Sequence, residues 1–567
     1  MKIKILCSAL LVAGTMSAYA QNDTPDAAMT AKIREEGLNH SQVMDIAFHL
    51  TDVSGPRLSG SPGLKRAQDW AVEKLKSMGL VNAKREDWGK FGKGWEIQRN
   101  YVAMTVPYYH ALIGIPKAWT PGTNGPVKGE VVYFKADTIT DLAKYKGKLK
   151  GKIIITDAAA PKEQNFVAPP GRFTDAELDT MAHATAAQGM ASGAPGLTGP
   201  IPGHMPAAGA PGAGGRGGAG GRGGRGGFGG FGRGLNPAVV AQFEMDEGVA
   251  LILSQARGTD GTVFTTNGAS HADTAHMVSP SLETSSEDYQ RILRLVKAGV
   301  PVTLEADIKT EFFTKDLEGY NVVAEIPGTD PKLKDQIVML GGHFDSWHAA
   351  TGGTDNAAGS AVMMEAVRIL KSLGVKPRRT IRIALWSSEE EGELGSKGYV
   401  ANHFGDINTM TLKPEQAKVS AYYNIDNGTG KIRGIFLQQN AAAGPIFQQW
   451  LAPFKDLGAT TVTIANTAST DHAALDAIGI PGFQFIQDPM DYIARTHHSN
   501  QDTYDKMSPE DLKQMATIVA SFVYNTAQRD EMIPRKPLPA PRPAGGRGGQ
   551  GGGGRPAGGP PPPPNGN

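Results

Sequence analysis

Cysteine is almost absent. Cys7 is the single one in 567 residues, which excludes a disulfide-stapled scaffold. Long apolar runs are absent too: none approaches the ~20 residues that a membrane-spanning helix needs. Glycine and proline, by contrast, are in excess. The 72 Gly and 38 Pro make up about 19% of the chain, against a usual ~12%, and they concentrate in two segments, 212–234 and 534–567. Neither segment holds an Asp or Glu, and neither has enough apolar surface to offset its ordering entropy, so both are expected to be disordered. The rest of the chain is ordinary globular material, with 40% hydrophobic and 20% charged residues overall.

Residues 1–20 read as an export leader. Lys2 and Lys4 precede a short apolar stretch from Ile5 to Met16, and Ala18-Tyr19-Ala20 is a small-x-small cleavage site before Gln21. Cys7 lies inside the apolar stretch and not at its end, which argues against a lipid-bearing cysteine. The expectation is an exported protein, periplasmic or extracellular, with no thiol chemistry.

The formal charge of +1 hides an asymmetry. Two basic residues fall in the leader, four in 212–234 and five in 534–567, leaving 46 basic against 56 acidic residues in the body, a balance of −10. An acidic body argues against a nucleic-acid grip and leaves carboxylates available for metal.

The pattern along the chain divides it. A helix is predicted over 62–78, with Ser61 as N-cap, Pro62 at the first helical position and Gly79 after its end. The stretch 126–156 alternates short β-runs with glycine and lysine turns, and a helix-then-strand pattern resumes after the glycine tract. From 286 to 530, the β-runs Val322–Ile326, Ile337–Leu340, Ile381–Trp386, Val419–Ile425 and Gly482–Ile486 alternate with helical stretches at 359–373, 444–457 and 509–527. The fold class expected is α/β, a mixed and mostly parallel sheet covered by helices on both faces, with a small β-rich domain inserted. The expected division is a leader at 1–20, an N-terminal part of the catalytic unit at 21–125, and the insert at 126–285 with its glycine/arginine loop at about 205–235. The catalytic unit proper follows at 286–530 and a disordered tail at 531–567.

The residues that follow those β-runs point to chemistry, because such sheets bind ligands at the carboxyl ends of their strands. Ile337–Leu340 leads into Gly341-Gly342-His343-Phe344-Asp345, and Ile381–Trp386 into Ser387-Ser388-Glu389-Glu390-Glu391. Val419–Ile425 leads into Asp426, and Gly482–Ile486, after a loop, into His497-His498. A glycine-rich turn carries Asp355 just before the helix at 359. Two imidazoles and three or four carboxylates at one sheet edge are the donor set of a divalent pair, and N/O ligands favour zinc. Asp345, two residues beyond His343, is placed to support its imidazole from behind.

The runs GGHFDSWHAATGGTDNAAGS, WSSEEEGELGSKGY, NIDNG, STDHAALDAIGIPGF and HHSNQDT, in that order, resemble the co-catalytic zinc exopeptidases of clan MH, a family of aminopeptidases and carboxypeptidases. The resemblance covers about 290–525, and 126–285 is similar to the protease-associated domain inserted in many members. It implies that His343, Asp355 and Asp426 hold one zinc, and that Asp355, Glu390 and His498 hold the other, with Asp355 bridging and a cis peptide after it. It implies Glu389 as general base and places His472 along the site. His497 is then expected at the cleft wall, facing away from His498 as neighbours in extended backbone do and available to substrate or oxyanion. Asp502 is expected as an outer or loop-fixing carboxylate. The cofactor implied is two Zn2+ per chain, and the partners are peptide substrates, with no nucleic acid, no membrane span and a homodimer as a candidate assembly. Two rival functions stay open: an acyltransferase of the glutaminyl-cyclase type on the same fold, and a non-catalytic binding scaffold.

Overall fold

A computed structural model describes residues 23–159, 168, 171–186 and 235–541. The expected leader, the glycine/arginine loop up to residue 234 and the tail beyond 541 lie outside the described residues.

The strands run in chain order β1 (Val81–Lys90), β2 (Gly94–Val106), β3 (His110–Ala111), β4 (Gly114–Pro116), β5 (Val127–Tyr133) and β6 (Ile153–Ile155). They continue with β7 (Leu251–Gln255), β8 (Ser281–Thr284), β9 (Thr303–Phe313), β10 (Glu318–Ile326), β11 (Ile337–His343) and β12 (Thr380–Trp386). A small hairpin follows, β13 (Gly405–Asp406) with β14 (Thr411–Leu412), then β15 (Val419–Asn424), β16 (Ile432–Phe436), β17 (Thr461–Thr463) and β18 (Gly482–Gln487). Two eight-stranded sheets result. The first is ordered β1-β10-β12-β11-β15-β18-β16-β17 and the second β3-β2-β9-β5-β6-β7-β8-β4. In the first, four of the seven neighbouring pairs are parallel, including the consecutive run β12-β11-β15-β18.

Side chains on a strand alternate between faces, and both faces of the first sheet are apolar. Val338, Leu340, Ile383, Leu385, Ala421 and Tyr423 share a core with the helices Ala27–Asn39, Pro62–Ser77, Ala358–Ser372 and Pro509–Gln528. Met339, Ala384, Trp386, Val419 and Tyr422 join the opposite core with the helices Leu394–His403 and His472–Ala477. Burial on both faces is the reason these strands read as continuous hydrophobic runs. The helix expected over 62–78 forms as Pro62–Ser77, with Ser61 Oγ accepting from the Leu64 amide and Gly79 at φ +83° beyond its end. Among the described residues, no helix is long and apolar enough to cross a membrane.

Three expectations need correction. The second sheet extends beyond 126–285 on both sides, because β2 pairs along its length with β9 and both belong to it. Exposed polar side chains along β2, such as Arg99 and Asn100, masked that strand in the sequence. The expected helix over 444–457 is α-helical only for Gly444–Leu451 and continues as a 3-10 turn, Ala452–Leu457, since Pro453 removes a backbone donor. The tail is fastened as far as Lys536. The Ile533 amide donates to Ser420 Oγ, and Arg535 donates to the carbonyls of Gly479, Gln416 and Val419. Lys536 pairs with Asp476 at 2.7 Å. A proline-rich composition concealed an apolar anchor and two basic side chains that satisfy buried carbonyls.

Candidate metal centre

Four adjacent strands of the first sheet end at one place. His343 is the last residue of β11, and the loop after β12 carries Glu389, Glu390 and Glu391. Asp426 lies two residues beyond β15, and the loop after β18 leads to His497 and His498. Asp355 comes from the loop after β11, immediately before the helix Ala358–Ser372, and the Asp355–Asn356 peptide is cis. Asn356 fixes this junction: its Nδ2 donates to the Ile425 carbonyl at 2.8 Å and its Oδ1 accepts from the Gly359 amide at 2.9 Å. Only glycine fits at 359, because a Cβ there would lie 2.3 Å from Asn356 Oδ1 and 2.5 Å from the Ile425 carbonyl oxygen. Asp355 and Asp426 are thereby held on either side of one bond network.

His343 Nε2 lies 3.1 Å from Asp355 Oδ1 and 3.1 Å from Asp426 Oδ1. On the far side of Asp355, His498 Nε2 lies 3.3 Å from Asp355 Oδ2 and 2.8 Å from Glu390 Oε2. Asp355 thus stands between two His-plus-carboxylate groups. Asp355 Oδ2 and Glu390 Oε1 are buried without a hydrogen-bond partner among the described residues. A buried carboxylate oxygen left in that state is costly, and a divalent cation is the partner that this N/O donor set fits.

The electrostatics have the same origin. Burial pushes the Glu389 carboxyl well above the usual carboxylate range, and the charges of Asp426, Asp471 and Asp345 add to it against the pull of His343. Burial, followed by Asp355, does the same to Glu390. Burial alone would lower His343, yet Asp426, Asp345 and Asp355 outweigh it and raise the imidazole. His498 is lowered, first by burial and then by His497. Crowded acids with too little positive charge among them are the common cause.

The supporting residues are partly as expected. Asp502 accepts from the Thr354 amide at 2.6 Å, the Thr354 hydroxyl at 2.7 Å and the Asp355 amide at 3.1 Å, so it fixes the loop that presents Asp355. Asp345 stands behind His343 as expected, its Oδ1 3.7 Å from His343 Nδ1, and has a further role. Its backbone carbonyl accepts from His343 Nδ1 at 3.1 Å, while its carboxylate accepts from the amides of Glu389 and Glu390, each at 3.2 Å. The imidazole is therefore braced by the Asp345 main chain with the carboxylate close behind it, and the same side chain positions the glutamates.

Among the described residues, no hydrogen bond or ion pair joins His472 to the ligands. Its Nε2 lies 3.1 Å from the Thr467 carbonyl and 2.8 Å from Gln438 Nε2, and burial lowers it to about 4. The two adjacent histidines also depart from the opposed arrangement expected of them. His498 has φ +58°, which breaks the extended alternation, and the two rings stack with centroids 3.6 Å apart. Both face Asp355 Oδ2, His497 at 3.9 Å and His498 at 3.3 Å.

Two residues escaped the sequence reading. Arg57 is fully buried and donates to the carbonyls of Leu50, Phe344, Thr351 and Gly352 at 2.6–2.9 Å, closing the loop between His343 and Asp355 into a ring. Burial lowers its guanidinium to about 10. Ser59 donates to Asp345 Oδ2 at 3.2 Å and Glu391 Oε2 at 2.6 Å. Both lie in the turn PRLSGS just ahead of the 62–77 helix, where the only available signal was an arginine between apolar and small residues.

Residues 321–523 match peptidase family M28. Human carboxypeptidase Q is 29% identical over 249 residues, 44% of this chain and 50% of that protein. Aminopeptidase YwaD of Bacillus subtilis is 28% identical over 233 residues, 40% of this chain and 49% of that protein. The chain spans about half the length of the curated relatives it matches. A crystal structure of a peptidase M28 precursor from Shewanella amazonensis shares the fold with a TM-score of 0.59 at 25% identity, covering 90% of this chain and 98% of that one.

Proposed function

Because residues 321–523 match peptidase family M28, we propose that this chain is a metallopeptidase of that family, an exported di-zinc exopeptidase that hydrolyses small peptides. The observation that carries the reading is the pair of unsatisfied buried oxygens, Asp355 Oδ2 and Glu390 Oε1, set between His343 and His498. In this reading His343, Asp355 and Asp426 hold one zinc, and Asp355, Glu390 and His498 hold the other. Two zinc ions, when bound, supply Lewis acidity that polarises a peptide carbonyl and acidifies water near neutral pH.

The chain's own residues do the rest. Glu389 takes the proton of the attacking water and returns it to the leaving amine, and a carboxyl whose proton affinity is raised by its surroundings is suited to both halves of that task. Asp345 holds Glu389 and Glu390 by their amides, so base and ligand keep a fixed spacing. His497, stacked on His498, is placed to hydrogen-bond the substrate or the developing oxyanion. His343 and Asp426 in contact favour a second ion over the one-zinc centre of an acyltransferase.

Glu389→Gln tests the reading. Hydrolysis of dipeptides should fall by about 10²–10⁴-fold while zinc content stays at the wild-type level. Retention of more than about 1% activity would show that another group is the base.

A further inference from the structure

The loop after β18, which carries His497 and His498, is gripped at both ends by connections of the second sheet. At its start, the Met490 amide donates to the Gly171 carbonyl at 2.8 Å. The Phe173 amide donates to Asp488 Oδ1 at 3.0 Å, and Arg172 donates to Asp488 Oδ2 at 2.9 Å and Asp511 Oδ2 at 2.8 Å. At its far end, the Thr265 amide donates to the His498 carbonyl at 2.9 Å, and Phe264 pairs with Ser499 in an antiparallel bridge. The Val263 amide donates to Asn500 Oδ1 at 2.8 Å, and the Asn500 amide donates to the Val263 carbonyl at 3.1 Å. Residues 171–173 and 262–265 lie in the connections that follow β6 and β7, which are parallel neighbours in the second sheet.

The gripped positions are the strained ones. Met490 and Asp491 have φ +41° and +61°, and His498 has φ +58°. A non-glycine residue in that left-handed region costs free energy, and it persists only where the surrounding structure over-determines it. Here the second sheet supplies that hold through main chain: Gly171 fixes Met490, and Thr265 fixes His498. The same backbone turn at His498 sets its imidazole 3.3 Å from Asp355 Oδ2 and 2.8 Å from Glu390 Oε2. The other half of the centre is independent of the grip. His343 ends β11 and Asp426 follows β15, and their mutual contacts lie within the first sheet. Among the described residues, neither 171–173 nor 262–265 makes a hydrogen bond or ion pair to His343, Asp355, Glu390 or Asp426.

We propose that Arg172 and Asn500 are positioning residues that splint the histidine loop, so that the second sheet sets the affinity of the His498 zinc position and leaves the His343–Asp426 position alone. The inference rests on the di-zinc reading and deepens it. Zinc titration of the full chain in competition with a chromophoric chelator, resolving a dissociation constant for each ion, tests it. Wild type is compared with Asn500→Ala, Arg172→Met and the double variant. Arg433 stays on Asp488 at 3.0 Å, so Arg172→Met does not strand that buried carboxylate. In the double variant one constant should rise by about 10–100-fold, the loss typical of an outer partner, while the other stays within about twofold of wild type. Each single variant should move the same constant, and it should be the one that His498→Ala abolishes. Asn500→Asp, which keeps the acceptor for the Val263 amide, should restore it. An unchanged melting temperature of the zinc-free variants shows that the fold is retained; a double variant that does not fold leaves the same test to the single ones. Constants that do not move, constants that weaken alike, or no recovery in Asn500→Asp would overturn the inference alone. Wild type that binds no zinc, or a single ion, would sink the di-zinc reading and the inference with it.

Discussion

Two clusters in the first sheet place histidine among carboxylates, and they differ in how the charges are met. Around His403, Glu86 lies 2.5 Å from Nε2 and Glu415 lies 3.1 Å from Nδ1. Arg382 pairs with Glu415 and Glu325 at 2.7 Å, and Lys84 with Glu86 at 2.9 Å. Three acids meet three bases. Around the ends of β11, β12, β15 and β18, Asp345, Asp355, Glu389, Glu390, Glu391, Asp426 and Asp471 gather about three imidazoles, His343, His497 and His498, and the Arg57 guanidinium. There, Asp355 Oδ2, Glu390 Oε1, Glu391 Oε1 and both Asp471 oxygens have no hydrogen-bond partner among the described residues. A satisfied network rigidifies a fold. An acid cluster left short of positive charge has the electrostatic character that a bound cation would neutralise.

The comparison can be broken at the metal centre first. His498→Ala should weaken zinc binding by more than the ~10–100-fold typical of losing an outer partner, measured by competition with a chelator. His497→Ala should keep the metal and lower turnover. The reverse pattern would move the ligand by one residue, an outcome with real purchase now that both rings face Asp355.

Arg57→Met comes next. It would leave four carbonyls buried without their donor, at a cost of about 3–5 kcal/mol in unfolding free energy, with Arg57→Lys recovering part of it. Denaturant melts would read this. Zinc affinity should fall in parallel, because the ring that Arg57 closes leads into Asp355; stability lost with zinc affinity intact would confine Arg57 to packing.

His403→Gln is the smallest change and sharpens the contrast. Hydrogen bonds that the ring donates to Glu415 and then Glu86 raise His403 from 6.5 to about 9. Its stabilisation is therefore complete below pH 6.5 and is lost as pH rises through 9, amounting to about 1–2 kcal/mol once solvent screening of a half-buried ring is allowed for. The variant should flatten the stability profile across that window and leave zinc content unchanged. A loss of zinc would mean that the two clusters are coupled.

How far the sequence could be read follows from the same physics. The four central strands were legible because burial on both faces makes them continuous apolar runs, and the candidate ligands could be singled out because each lies at the end of such a run or in the loop that follows it. Arg57 and Ser59 were not, since their role depends on a turn some 290 residues away in sequence from the loop it braces. Nor was the shared orientation of His497 and His498, which depends on one positive φ at a non-glycine residue. β2 was missed because half of its side chains face solvent, and the ordered start of the tail because three anchoring residues sit in a segment whose composition is otherwise that of a flexible chain.

Metal content per chain, measured on purified wild type and on Glu390→Ala after exhaustive dialysis against trace zinc, tests the central claim most directly. Wild type should hold about two zinc ions, and Glu390→Ala should lose at least one together with activity. Wild type that holds no zinc, or Glu390→Ala that keeps the full wild-type complement, would contradict it.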